Sequence, residues 1–316
     1  MGACIEGDRA AVYHCGIVAS MVEYVPLVEG QDIKRLCHQR IQKVCVLYRR
    51  LWHRNPFRVA RPAGISMILS IITATFNSSR TISDCINSVA SQSYPHIEHI
   101  IIDGRSTDST VEIIKKYGNR IAKWVSEPDK GIYDAMNKGI AMATGDIIGI
   151  LNSDDFYAHP DVLAKVAAVF YDRSIDACYG DLVYINSIDS KKVVRHWHSE
   201  IYTTRSFYWG WMPPHPTFFV RKSVYEKYGV FNLELGSAAD YELMLRLLLK
   251  YKVTASYINE VLVKMRTGGV SNTSIKNRLR ANQLDRKAWD VNGLKPYPWT
   301  LVCKPVRKIR QWFERP

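Results

Sequence analysis

From Met67 onward the chain repeats one unit: a short run of apolar, largely β-branched residues, a polar turn, then a segment whose apolar residues recur at helical spacing. Strands without polar alternation must be covered on both faces, and strands alternating with helices give an α/β fold with a mostly parallel sheet flanked by helices. Residues 68–73 are expected to form the first strand. Ile82, Cys85, Ile86 and Val89 then mark a helix with Ser78 and Ser79 as capping candidates. A second strand over 97–102 ends in Asp103, a helix over 110–117 closes at Gly118, and 121–125 reads as a third strand. A helix over 132–143 stops at Thr144-Gly145 before a strand over 146–151. Beyond it the spacing predicts a helix over 162–171, strands near 177–185, 193–197 and 217–221, and a helix over 241–250.

Three segments follow: an extension over 1–66, a core domain over 67–272, and a helix with a basic tail over 273–316. Residues 1–66 fit no unit of the core, and either a start codon read too far upstream or a docking extension accounts for them. The net charge of +13 sits at the ends, because 67–272 balances 22 basic against 22 acidic residues. A nucleic-acid enzyme carries its basic surface on the domain that binds, so no nucleic-acid partner is expected. The tail mixes Trp299, Leu301, Val302, Val306, Ile309, Trp312 and Phe313 with Lys304, Arg307, Lys308 and Arg310. That composition suits an anionic membrane surface, with packing back on the domain as the alternative. No apolar run reaches the ~18 residues that span a bilayer. The seven cysteines show no C-x-x-C spacing and are expected as reduced thiols, hence a cytoplasmic protein. Cys15, Cys37, His38 and Cys45 with His14 match no zinc pattern, and Glu6 stands where a myristoylation motif needs Ser or Thr.

In an open parallel sheet ligands bind beyond the carboxyl ends of the strands. Those ends read Thr73-Ala74-Thr75-Phe76-Asn77, Asp103-Gly104-Arg105-Ser106-Thr107-Asp108 and Asn152-Ser153-Asp154-Asp155. Each alone could be a helix cap, since such residues are common in caps. Asp154 and Asp155 together repel unless a cation offsets them, and Mg2+ or Mn2+ held by carboxylates commonly clamps a diphosphate.

Ile71-Ile72-Thr73-Ala74-Thr75-Phe76-Asn77, Asp103-Gly104-x-Ser106-Thr107-Asp108, Leu151-Asn152-Ser153-Asp154-Asp155 and Ala239-Asp240-Tyr241 resemble, in order and spacing, the landmarks of family 2 glycosyltransferases. The stretch 127–139 and His215-Pro216-Thr217 resemble the bacterial exopolysaccharide-biosynthesis branch. The resemblance covers about 67–272 and implies a GT-A fold and an inverting transfer of a hexose. The donor would be a nucleotide-diphosphate sugar, UDP-sugar favoured, and the acceptor a glycan or glycolipid in surface polysaccharide biosynthesis. It implies a peripheral protein on the inner face of the cytoplasmic membrane. It further implies that Thr75 and Asp103 hold base and ribose, with Asp134 or Asn137 near the same pocket and Lys130 facing phosphate. Asp154 would be the principal metal-linked carboxylate, supported by Asp155, with Mn2+ or Mg2+ as cofactor. Asn152 stands where the motif's first Asp is usual, and its carbonyl oxygen can still ligate. Asp240 matches the general base that takes the acceptor hydroxyl's proton, although an acid at a helix start is also favourable without any catalytic role.

His215, on a turn between two prolines, could touch metal, diphosphate or acceptor, or be a plain turn histidine. Arg266 opens a segment through Ser271 suited either to a loop closing over phosphates or to a simple turn. Phe207, Tyr208, Trp209 and Trp211 could stack on a sugar or sit in the core. A nucleotidyltransferase would open on a glycine-rich loop, and residues 73–77 contain no glycine. A non-catalytic sugar-nucleotide-binding or membrane scaffold protein is the other alternative, against which Asp154, Asp155 and Asp240 together argue. Neither a P-loop nor a G-x-G-x-x-G motif occurs.

Overall fold

The computed structural model describes residues 67–310 apart from 188 and 269–274, so the features noted in 1–66, in Gly269 to Ser271 and at Trp312 and Phe313 lie outside the described residues. The chain is a mixed α/β fold around one nine-stranded sheet. Strands β1 (Leu69–Thr75), β2 (Ile97–Asp103), β3 (Lys123–Ser126) and β4 (Ile147–Ile150) pair in parallel in the order β3-β2-β1-β4. Every residue of β1 and β4 is buried, including Ser70, Thr73 and Thr75 of β1.

Alternate residues of β1 feed two layers. Ile72 and Ala74 pack with Ala135, Met136 and Ile140 of α3 (Ile132–Met142). Leu69 and Ile71 face Cys85 and Val89 of α1 (Ile82–Ala90) and Val162, Leu163, Val166 and Phe170 of α4 (Val162–Phe170). The helix α2 (Thr110–Lys116) covers the β2 side through Ile114. A Cβ on Gly139 would stand 2.3 Å from Ile72 Cγ2, so glycine is what lets α3 lie directly on β1. Glu98 ties the parallel half together. It accepts from Ser70, from Thr144 N (2.8 Å) and Oγ1 (2.7 Å), and from Lys123 Nζ (2.8 Å). Burial opposes its charge, but these donors prevail and hold its carboxyl down at about 2.

The second half of the sheet is assembled from distant segments. β8 (Phe219–Arg221) runs antiparallel between β4 and β6 (Ala177–Ile185). β7 (Val193–Trp197) is antiparallel to β6, and the twelve-residue β9 (Ala255–Arg266) is parallel to β6. β5 (Phe156–Tyr157) adds to the far side of β9. The helices α5 (Lys222–Tyr228), α6 (Ala239–Met244, continued by a π-helical turn Leu245–Lys250), α7 (Ile275–Val291) and α8 (Thr300–Arg310) complete the chain.

Three expectations need correction. Ser78 and Ser79 do not cap α1, which starts from Thr81; the Ser78 carbonyl accepts from Thr81 N and Ile82 N instead. The helix before β3 ends at Lys116 and Gly118 starts a separate 3-10 turn. Thr217 belongs to a 3-10 turn, His215–Thr217, its Oγ1 bonded to the carbonyls of Gly180 and Pro214 at 2.9 Å each. The segment after Pro298 is helical. Its inner face packs on the domain, with Lys304 Nζ on Asp285 (2.7 Å) and Thr300 Oγ1 on the Tyr208 carbonyl (2.8 Å).

Candidate active site

The carboxyl ends of β1, β2 and β4 meet as a web of polar turns. Asn77 takes a left-handed conformation (φ 48°), and its Oδ1 accepts from Thr107 N at 2.8 Å while its own N–H donates to Ser106 Oγ at 2.8 Å. Ser78 Oγ meets Ser153 Oγ at 2.8 Å, joining the β1 end to the β4 end. Thr75 is buried and its Oγ1 has no hydrogen-bond partner among the described residues. Asp103 is fully buried and accepts from Ser106 N (3.0 Å), Ser106 Oγ and Ser126 Oγ (2.6 Å). Its carboxylate therefore braces its own loop.

Lys130 is exposed, and its backbone N–H donates to Asp134 Oδ2 at 3.0 Å at the start of α3. Asn137 is committed elsewhere. Its Nδ2 donates to the Phe231 carbonyl (2.9 Å) and its Oδ1 accepts from Phe231 N (3.0 Å), which leaves Asp134 as the member of that pair with acceptor capacity to spare.

After β4, Asn152 Nδ2 lies 3.3 Å from Asp155 Oδ2. Asn152 Oδ1 and Asp155 Oδ1 are buried without a hydrogen-bond partner among the described residues. Burial, and then the neighbouring Asp154 charge, push the Asp155 carboxyl well above the ordinary carboxylate range, and burial also raises Asp154. Orphaned carboxylate and amide oxygens are the donor set that a hard divalent cation takes. Asn152, Asp154 and Asp155 therefore fit such an ion. Arg266, expected in a loop, is instead the last residue of β9, where its Nη1 donates to the Asp154 carbonyl at 2.8 Å and its Nη2 pairs with Asp84.

Asp240 is half-buried in the first turn of α6 and its Oδ1 accepts from Tyr241 N at 2.7 Å. Burial and then the Asp240 charge raise the Tyr133 phenol well above its usual value. His215 is buried, its ring edge-on to Phe231 at 5.3 Å, and Phe231 in turn meets Tyr133 at 5.3 Å. Burial keeps His215 neutral, while Asp240 works in the opposite sense.

Sequence reasoning missed Tyr184 on β6. Burial raises its phenol, the Arg195 guanidinium opposes this, and the Asp155 and Asp240 charges add to it. Arg195, its ladder partner on β7, sets its guanidinium 3.8 Å over the ring. Of the aromatic run, Phe207 and Trp211 are core, Tyr208 packs on Trp289 and Tyr297, and Trp209 is exposed. A second cluster, Asp181 with His196 and His198, was also missed, although His-x-His on a strand puts both imidazoles on one face.

Residues 70–229 match the model for "Glycosyl transferase family 2". An uncharacterized glycosyltransferase of Mycobacterium tuberculosis is 36% identical over 185 residues, which cover 56% of this chain and 68% of that protein. A PGL/p-HBAD biosynthesis glycosyltransferase of Mycobacterium bovis is 28% identical over 213 residues, 66% of this chain and 80% of that one. Among solved structures, S. aureus TarS superposes with a TM-score of 0.54 at 18% identity, covering 78% of this chain and 44% of TarS. A mannosyltransferase of Pyrobaculum calidifontis in complex with GDP-Man and Mn2+ gives 0.53 at 17% identity, covering 83% and 80%. These neighbours share the GT-A arrangement of a curled sheet between helices.

Proposed function

The chain belongs to glycosyl transferase family 2, and from that premise we propose that it moves a sugar from a nucleotide-diphosphate donor to a glycan or glycolipid acceptor during surface polysaccharide assembly. The observation that carries this reading is the pair of orphaned buried oxygens on Asn152 and Asp155 at the end of β4. That end suits a metal-bound diphosphate, and Asp240 suits an acceptor hydroxyl.

Thr75, with its unpartnered buried hydroxyl, and Asp103 border the nucleoside pocket, and Asp134 and Lys130 lie at its α3 side. Asn137 acts by fixing Phe231, and through it the ring stack on His215 and Tyr133. Mn2+ or Mg2+ held by Asp154, Asp155 and the Asn152 carbonyl oxygen would stabilise charge on the departing diphosphate. Asp240 takes the acceptor proton in a single inverting displacement, its carboxylate accepting from the Tyr241 N–H. Arg266 fixes the Asp154 backbone from β9. A uridine diphosphate donor is favoured, in keeping with the structures of S. aureus TarS 1-349 in complex with UDP and with UDP-GlcNAc.

Among the described residues no helix is long and apolar enough to cross a membrane. The outward side of α8 nevertheless joins Trp209 (52% exposed), Trp299 (45%), Val302 (62%) and Val306 (56%) in one region, with the two indoles 6.0 Å apart. We assign this face to peripheral contact with the inner leaflet of the cytoplasmic membrane.

The donor site is tested by titrating UDP, GDP and dTDP calorimetrically into wild type and Asp154→Ala, with and without Mn2+. One diphosphate should bind in a metal-dependent way that the substitution abolishes. Absence of binding by all three would overturn the assignment.

A further inference from the structure

We propose that Asp181, His196 and His198 form a second metal site, selective for a late first-row divalent cation of the zinc class and separate from the oxygen-lined site at Asp154 and Asp155. The site follows from the β6–β7 ladder. Leu182 pairs with Trp197 and Val183 with His196, so the side chains on either side of Trp197 project from one face, next to Asp181.

The donor atoms already converge. His198 Nδ1 lies 2.8 Å and His196 Nε2 3.5 Å from Asp181 Oδ2, and all three ligand atoms fall within 4.8 Å of one another. Ligands bound tetrahedrally at zinc, with bonds of about 2.0–2.1 Å, stand about 3.3 Å apart. The two distances to Asp181 Oδ2 bracket that spacing. The carboxylate is held from behind, since its Oδ1 accepts from Ser199 N (2.8 Å) and Tyr257 OH (2.8 Å), leaving Oδ2 turned toward the imidazoles. His196 Nε2 is buried and, among the described residues, reaches no better partner than that oxygen, at a distance too long for a good hydrogen bond.

Ligand chemistry separates the two sites. Two imidazoles and one carboxylate suit zinc, whereas the carboxylate and amide oxygens beyond β4 suit magnesium or manganese. Asp181 is 4% and His196 15% exposed at the side chain, but His198 is 40% exposed. The ion would thus be reached from solvent and complete its shell with water. Its place on the ladder also gives it a consequence: it fastens β7 to β6 one residue from Arg195, which covers Tyr184.

The test uses the full-length, tag-free chain, stripped of metal, dialysed against micromolar Zn2+ and assayed for bound zinc by mass spectrometry. Wild type and Asp154→Ala should each hold one more zinc than His196→Ala and than His198→Ala, and excess Mn2+ should not displace it. Cobalt substitution should show that this equivalent has a d–d spectrum without thiolate charge transfer, which distinguishes it from metal on cysteines. His198→Ala, at an exposed position, keeps the comparison available should His196→Ala fail to fold. Equal zinc in wild type and the folded histidine variants, or a spectrum carrying thiolate bands only, would overturn the site. Loss of diphosphate binding in Asp154→Ala with zinc retained would show that the two sites are independent.

Discussion

Replacing Asp155 by Asn should stabilise the metal-free protein while destroying its response to Mn2+. The Asp155 side chain is fully buried, one of its oxygens has no partner among the described residues, and burial with the Asp154 charge raises its carboxyl well above 3.8. A buried polar atom without a partner costs about 1–3 kcal/mol and more when it is charged; the near-isosteric amide keeps a polar atom there but removes the charge without opening a cavity. A gain of about 1–3 kcal/mol should raise Tm by about 2–4 °C for each kcal/mol in a domain of this size. The sign with pH follows from the raised folded value. Below about 3.8 the carboxyl is protonated in both states; as pH rises toward the folded value the unfolded chain ionises first, so the native protein loses stability until both states are ionised.

Scanning calorimetry in EDTA from pH 4 to 8 should therefore show the two proteins diverging as pH rises, the variant becoming the more stable. Saturating Mn2+ should reverse the order, since a ligand at 100 times its Kd contributes about 2.7 kcal/mol to the protein that binds it. A variant that melts below wild type in EDTA at pH 7.5, or a Tm difference independent of pH, would refute the claim that this carboxylate is destabilising without its ion.

Asp240→Asn should lower kcat by about 10²–10⁴ with diphosphate binding unchanged by calorimetry; weakened donor binding would move Asp240 out of the acceptor side. Glu98→Gln should cost up to about 3 kcal/mol in urea unfolding, the equivalent of a carboxyl held near 2 rather than 4.5. The figure is an upper one because Lys123 is 37% exposed. That contribution is complete above about pH 4.5 and is lost as pH falls toward about 2, so wild type and variant should converge in acid. Replacing Trp209 and Trp299 together by Ser should reduce sedimentation with phosphatidylglycerol vesicles and leave diphosphate binding intact; unchanged sedimentation would remove this face from membrane contact.

The parallel half was legible because each of its units is local. β1, β2 and β4 are runs of buried residues whose helices follow directly in sequence, and an apolar pattern with a polar stop carries that information. β9 was not, for a physical reason. Its twelve residues are mostly half-buried and mixed in character, and what makes them a strand is pairing with β6, some 80 positions earlier. Arg266 was misplaced with it. The bonding of Asn137 to the backbone of a residue 94 positions away was not legible, because an amide looks the same in sequence whether it meets a ligand or a distant main chain.

That difference in origin bears on the proposed reaction. On that reading the donor side is built from turns that follow β1, β2 and β4 and brace one another through Asn77, Ser78 and Ser106. The other half depends on β6 holding β7, β8 and β9 at once, with Tyr184 under Arg195 of β7 and subject to the charges of Asp155 and Asp240. A shift in β7 therefore disturbs Tyr184 while leaving the nucleotide turns intact. In-line transfer is sensitive to displacements of about 1 Å. Damage to the β6–β7 pairing should accordingly appear in kcat before it appears in donor affinity, the reverse of damage to the turns around Asn77.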